Sequence, residues 1–180
     1  MNCALIRAYG PLNDFLLPAQ QHRTVPVSFN GRTSVKDLVE GLGVPHPEID
    51  LVLVNNEPVP FEYLVRHSDR VAVFPRFYQV DITGVSAVRR DDLPTVRFVL
   101  DGHLGKLARR LRLVGLDAIC PAHAADDQLA ALSHCEARVL LTRDRVLLKR
   151  RAVTSGYFVR RRGCGGPRPS TMPAAGSTIR

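Results

Sequence analysis

Residues 97–180 hold 16 Lys and Arg but only 6 carboxylates, and four of those six are Asp101, Asp126, Asp127 and Asp144. Asp101 follows the apolar run Phe98-Val99-Leu100. Asp144 closes Val139-Leu140-Leu141-Thr142-Arg143-Asp144, and Asp126-Asp127 heads a segment of helical spacing. In open α/β sheets, sites lie beyond the carboxyl ends of the strands, and the helices that follow those strands start on the same side. Asp101, Asp144 and at least one of Asp126 and Asp127 are therefore predicted to converge, with carboxyls about 4–8 Å apart. Clustered carboxylates repel one another and raise their own pKa values. A divalent cation removes that cost, and one or two carboxylates completed by water and substrate phosphate suit Mg²⁺ (or Mn²⁺). Such a metal can activate water and stabilise the leaving oxygen of a phosphodiester. Each acid taken singly also reads as a helix N-cap. Together, in a half-chain poor in acids, they favour the metal.

The basic residues fit a polyanionic substrate. Lys106, Arg109, Arg110 and Arg112 share one face of a helix predicted over 103–115, whose apolar positions are Leu104, Leu107, Ala108, Leu111 and Val114. Lys106, Arg109 and Arg112 are candidates to neutralise phosphates, with His103 and Arg143 beside the acids as further substrate contacts. A merely solvated basic face is the other reading. Cys120-x-x-His123 with His134-Cys135 has a faint metal-ligand look, but a loop and a helix surface account for it more simply. Arg97, inside an apolar strand, has no sequence explanation.

The elements that must position these groups fall into two sets. Residues 1–96 carry 9 Lys and Arg against 11 Asp and Glu, so the net charge of +8 arises wholly in the second half. That asymmetry predicts two units with different partners. In the first, residues 2–9, 24–29, 51–54 and 70–74 read as strands and 35–42 as a helix capped by Thr33 or Ser34, with Asn55-Asn56-Glu57-Pro58 as a turn. One helix across such a sheet is an α+β arrangement. Residues 79–95, with Arg89-Arg90-Asp91-Asp92 and Pro94, read as a linker. Beyond it, strands at 98–100, 117–120, 138–142 and 155–159 alternate with helices, which predicts an α/β unit with a parallel sheet over 96–160. The unpatterned run Phe98-Val99-Leu100 suits a strand covered on both faces. Residues 161–180 lack periodicity and read as a disordered tail.

Hydrophobic content of 45% with 23% charged residues suits a soluble globular protein. No run approaches a membrane span and no signal peptide is read, so the expected compartment is the cytoplasm. Cysteines at 3, 120, 135 and 164 form no Cys-x-x-Cys pair, and neither a disulfide framework nor a zinc ribbon is expected.

Two resemblances sharpen these expectations. The order of the first unit, with Val59-Pro60-Phe61-Glu62-Tyr63-Leu64 and Ser68-Asp69-Arg70-Val71-Ala72-Val73-Phe74-Pro75, resembles the β-grasp, ubiquitin-like fold over residues 1–78. It is similar to the sulfur carriers of thiamin and molybdopterin synthesis. Those act through a terminal Gly-Gly, whereas here the chain continues through Arg76-Phe77-Tyr78, so the resemblance implies a fold and a docking module for a protein partner. The segment Phe98-Val99-Leu100-Asp101-Gly102-His103-Leu104-Gly105-Lys106-Leu107-Ala108-Arg109-Arg110-Leu111-Arg112 resembles the opening motif of the Mut-seven C-terminal RNase family, a branch of the PIN-like nucleases. Asp126-Asp127-x-Leu129 and Leu140-Leu141-Thr142-Arg143-Asp144 are similar to its second and third motifs. This implies a metal-dependent ribonuclease with Asp101, Asp126 or Asp127, and Asp144 as acidic site residues, and Thr142 orienting the metal or its water. The family continues into a zinc ribbon with two Cys pairs. Here only Cys164 appears, so the chain reads as truncated or shifted in frame near Arg162, and a core cut short there would lose activity. The alternative function is a non-catalytic RNA-binding or adaptor protein on a degenerate PIN-like domain.

Overall fold

The computed structural model describes residues 1–76, 84–88 and 97–160. The first unit is a five-stranded sheet of β1 (Asn2–Ala8), β2 (Thr24–Phe29), β3 (Ile49–Val54), β4 (Glu57–Pro58) and β5 (Arg70–Pro75), in the order β2-β1-β5-β3-β4. β1 and β5 are parallel and the other pairs antiparallel. Alternation in β1 sends Ala4, Ile6 and Ala8 into the core. The helix α1 (Val35–Gly41) covers that face with Val35, Leu38 and Val39. Ser34 caps it, its Oγ accepting the Asp37 N–H at 3.1 Å, a contact worth about 1 kcal/mol. This is the β-grasp order.

One short strand departs from the sequence reading. Asn55 and Asn56 both take positive φ, 52° and 74°. That pair makes the two-residue loop of a tight hairpin, so Glu57–Pro58 pairs back on β3 as β4 rather than continuing a turn. Three 3₁₀ segments, Gly10–Phe15, Pro18–Gln20 and His46–Glu48, fill stretches without amphipathic period. Each begins with a proline at its first or second position, where the missing N–H is harmless.

The second unit is a four-stranded, all-parallel sheet of β6 (Phe98–Leu100), β7 (Ala118–Ile119), β8 (Val139–Thr142) and β9 (Gly156–Phe158), in the order β7-β6-β8-β9. Its helices are α2 (Gly105–Leu113), α3 (Asp126–Cys135) and α4 (Arg145–Leu148). The central strands are covered on both sides. Val99 and Leu140 pack with Leu129, Leu147 and Leu148, while Leu100 and Leu141 pack with Leu104, Ala108 and Ala118. The fold is therefore α/β, and the missing alternation of β6 reflects its double burial. Residues 102–104 form a 3₁₀ turn before α2, and α4 ends at Leu148.

Two strand-end arginines also find their reason. Arg97 donates to the Glu136 carbonyl at 3.0 Å. Arg138 is buried and donates to Asp117 at 2.8 Å and to Glu136 at 2.6 Å, tying the β7 and β8 approaches together. The Arg138 hydrogen bond holds the Asp117 carboxyl below its ordinary range.

The two sheets are in contact. Phe158 of β9 packs against the cores of both and meets Phe15 edge-on with ring centroids 5.4 Å apart. The Phe158 N–H donates to the buried Glu48 carboxylate, and burial still pushes that carboxyl up. Within the predicted linker, Val88 is buried with the first core and the Ser86 hydroxyl donates to the Asp50 carbonyl. The rest of 79–95 and the predicted tail, 161–180, lie outside the described residues.

Candidate functional site

The ends of β6 and β8 bring two of the predicted acids together. The strands pair in parallel with Leu100 opposite Leu141, and the Asp101 N–H donates to the Leu141 carbonyl at 3.1 Å. Thr142, fully buried, stands between the acids. Its hydroxyl donates to Asp101 Oδ2 at 3.1 Å and accepts the Asp144 N–H at 3.0 Å. Asp144 caps α4, with Oδ1 accepting the N–H of Val146 at 2.7 Å and of Leu147 at 3.4 Å. Asp101 caps the 3₁₀ turn, Oδ1 accepting the His103 N–H at 3.3 Å. The cap and site readings thus coexist, since the caps fix both carboxylates at the carboxyl edge of the sheet.

Asp126 and Asp127 are engaged differently. They open α3, but Ala125 occupies the cap position and the Gln128 side chain accepts its N–H at 3.0 Å. Arg150 pairs with both acids, 3.7 Å from Asp126 and in direct contact with Asp127. Among the described residues, no group of three or more His, Cys, Asp or Glu is placed to hold a metal. The acids form two subsites, Asp101–Thr142–Asp144 and Asp126–Asp127–Arg150. The first still has the donor chemistry that Mg²⁺ accepts, two carboxylates to be completed by water and substrate phosphate. It is not a preformed all-protein cage. Cys120 is tied to the strand end, its thiol 3.5 Å from the Asp101 carbonyl. Burial first, and the Asp101 charge second, push that thiol up, away from the ligating thiolate.

Beside Asp101 opens a cleft of about 620 Å³ lined by Gly102, His103, Lys106, Arg110, Arg143 and Val159, among others. His103, Lys106 and Arg143 are where the sequence reading puts substrate contacts. Arg110 joins them, although only its neighbours were singled out. Its spacing from His103 and Lys106, one helical face at i, i+3 and i+7, is the signal that finds it. Arg109 is exposed and does not line the cleft. Arg112 donates to the Ala118 carbonyl at 2.9 Å, bracing α2 against β7.

Comparison with known proteins matches two family models, Mut7-C ubiquitin over residues 1–81 and the Mut7-C RNAse domain over residues 96–165. No curated protein matches. Two solved structures of small archaeal modifier protein 1 from Haloferax volcanii are similar at 18% identity and a TM-score of 0.35. They cover 43% and 42% of this chain and 100% and 97% of their own.

Proposed function

We propose that this chain, a Mut7-C RNase domain carried behind a Mut7-C ubiquitin domain, is a metal-dependent ribonuclease hydrolysing RNA phosphodiesters at the Asp101–Thr142–Asp144 edge. One observation carries the reading: at the ends of adjacent parallel strands the Thr142 hydroxyl bonds both the Asp101 carboxylate and the Asp144 backbone N–H, beside a cleft whose charged lining is entirely basic. A divalent cation, Mg²⁺ or Mn²⁺, held there by Asp101 and Asp144 would supply an activated water and charge for the leaving oxygen. The chain's own residues supply the rest. Lys106, Arg110 and Arg143 attract and align the phosphates, and His103 lies where it can contact substrate. Thr142 fixes the direction of the Asp101 carboxylate. The family resemblance adds Asp126 and Asp127 as acids on the same side, held by Arg150 in this conformation.

Cleavage of labelled RNA by the purified protein with Mg²⁺ or Mn²⁺, against an EDTA control, tests the reading. Metal-dependent products are expected, and none with any divalent ion would sink it. The Arg150 pairing and the absence of a three-ligand group among the described residues favour one other reading, a non-catalytic RNA-binding protein that keeps the cleft without turnover. RNA binding without cleavage is its signature.

A further inference from the structure

Asp144 is held at the head of a helix that does not stand alone. α4 is 4 residues long, far below the ~12–15 residues at which an isolated helix becomes marginally stable in water. Leu147 and Leu148 fix its inner face in the core of its own sheet. Both of its ends are fixed from the other domain. At the head, the Arg145 guanidinium donates to the carbonyls of Phe15 and Asp14, each at 3.2 Å. It also lies over the rings of Phe15 and Phe158, at 5.0 and 5.4 Å. Just past the end, the Lys149 ammonium donates to the Glu40 carbonyl in α1. The loop beyond is tied by His46, whose Nε2 donates to the Val153 carbonyl at 3.0 Å.

We propose that the ubiquitin-like domain is a fixed scaffold of the candidate site, and that Arg145 is the positioning residue through which it sets Asp144. The proposal rests on reading Asp144 as a site residue. Apolar packing of Leu147 and Leu148 is non-directional and tolerates a small slip or roll of α4. A planar guanidinium that donates twice and lies over two rings does not. It is attached to the residue next to Asp144, so any roll that it prevents is a displacement of that carboxylate relative to Asp101. Misplacement by about 1 Å costs on the order of 100-fold in rate. The first domain is thus a working part of the second, rather than a free module that only recruits a partner. Arg145 also has the charge and exposure of an RNA contact, and that role predicts different kinetics.

The test uses the full chain as wild type, Arg145→Ala, Arg145→Lys and Lys149→Met. Hydrogen exchange is read at the Val146 and Leu147 amides, which donate to Asp144, together with kcat and KM for RNA. Arg145→Ala is expected to speed that exchange about 10-fold while the β8 amides stay protected. It should also lower kcat by about 10- to 100-fold with KM within about 2-fold. Arg145→Lys, which keeps the charge but loses the forked pair of donors, should behave like alanine. Unchanged exchange overturns the proposal. So do faster exchange with unchanged kcat, a rise in KM alone, and full rescue by lysine. If Arg145→Ala fails to fold, Lys149→Met, which frees only the other end of α4, is read by the same signals. If wild type cleaves no RNA, the ribonuclease reading fails on its own, and exchange alone decides the scaffold.

Discussion

The buried Thr142 hydroxyl spends both of its hydrogen bonds on aspartates: it donates to the Asp101 carboxylate and accepts the Asp144 amide. Thr142→Val keeps the shape and strands both partners, which should cost about 1–3 kcal/mol. RNA cleavage should fall further than that loss of stability explains. Thr142→Ser should retain most activity. Denaturant melts beside cleavage rates check this, and a fully active valine variant would remove Thr142 from the site.

Asp144→Asn should nearly abolish cleavage and leave RNA binding unchanged or slightly tighter. The amide oxygen can still cap α4, so stability should move by less than about 0.5 kcal/mol. The lost charge weakens divalent-ion binding and reduces repulsion of phosphates. Filter binding and cleavage on the same preparation separate the effects. An unfolded Asp144→Asn beside an inactive wild type would make Asp144 a structural cap only.

Lys106→Gln and Arg110→Gln should each weaken RNA binding and lower the slope of log K against log salt by about 0.7, the share of one phosphate on a single strand. Arg109→Gln should do less, because Arg109 does not line the cleft. Titrations at three or more salt concentrations measure the slopes. Equal slopes for all three variants would place the RNA elsewhere.

The strand-end placement of Asp101 and Asp144 in the candidate site is legible in the sequence, and the reason is local. Asp101 and Asp144 end apolar runs, and strand ends carry sites in parallel sheets. The double burial of Val99 and Leu140 shows itself as missing alternation. The hold on the acids is not legible. Arg150 reads as one surface cation among several until the fold sets it against Asp126 and Asp127. Arg145 looks like any residue after a cap, because its partner Phe15 lies 130 positions earlier. Arg97 has no sequence explanation until the fold sets it beside the Glu136 carbonyl. Local spacing cannot report long-range pairing of this kind. The β4 strand is missed for a different reason, since two residues carry no period.

Glu48 links the two domains and should make their stability pH-dependent. Burial holds its carboxyl above the ordinary 4.5 in the folded protein, so the folded state binds its proton more tightly than the unfolded state does. The resulting stabilisation is fully present below about pH 4.5 and is lost as pH rises through the raised value. Glu48→Gln keeps an oxygen for the Phe158 N–H and removes the buried charge. The variant should therefore gain stability over wild type between acid and neutral pH. Paired denaturation curves at pH 4 and pH 7 read the difference. A variant that loses stability at pH 7 would mean that attraction to Arg160 and Arg76 outweighs burial.

Phe158 belongs to the last strand of the second sheet yet packs into the core of the first. During synthesis, the last strand of the β-grasp sheet is complete at Pro75, 83 residues before Phe158 is made. At ~5–20 residues per second, the ribosome takes roughly 4–17 s to cover that distance. Through that interval the nascent β-grasp sheet lacks one aromatic ring that later packs against its core, and Phe15 beside it has no partner from β9. The first half of the chain waits on the second to close its surface, so a chaperone that binds exposed aromatics has a defined window in which to act.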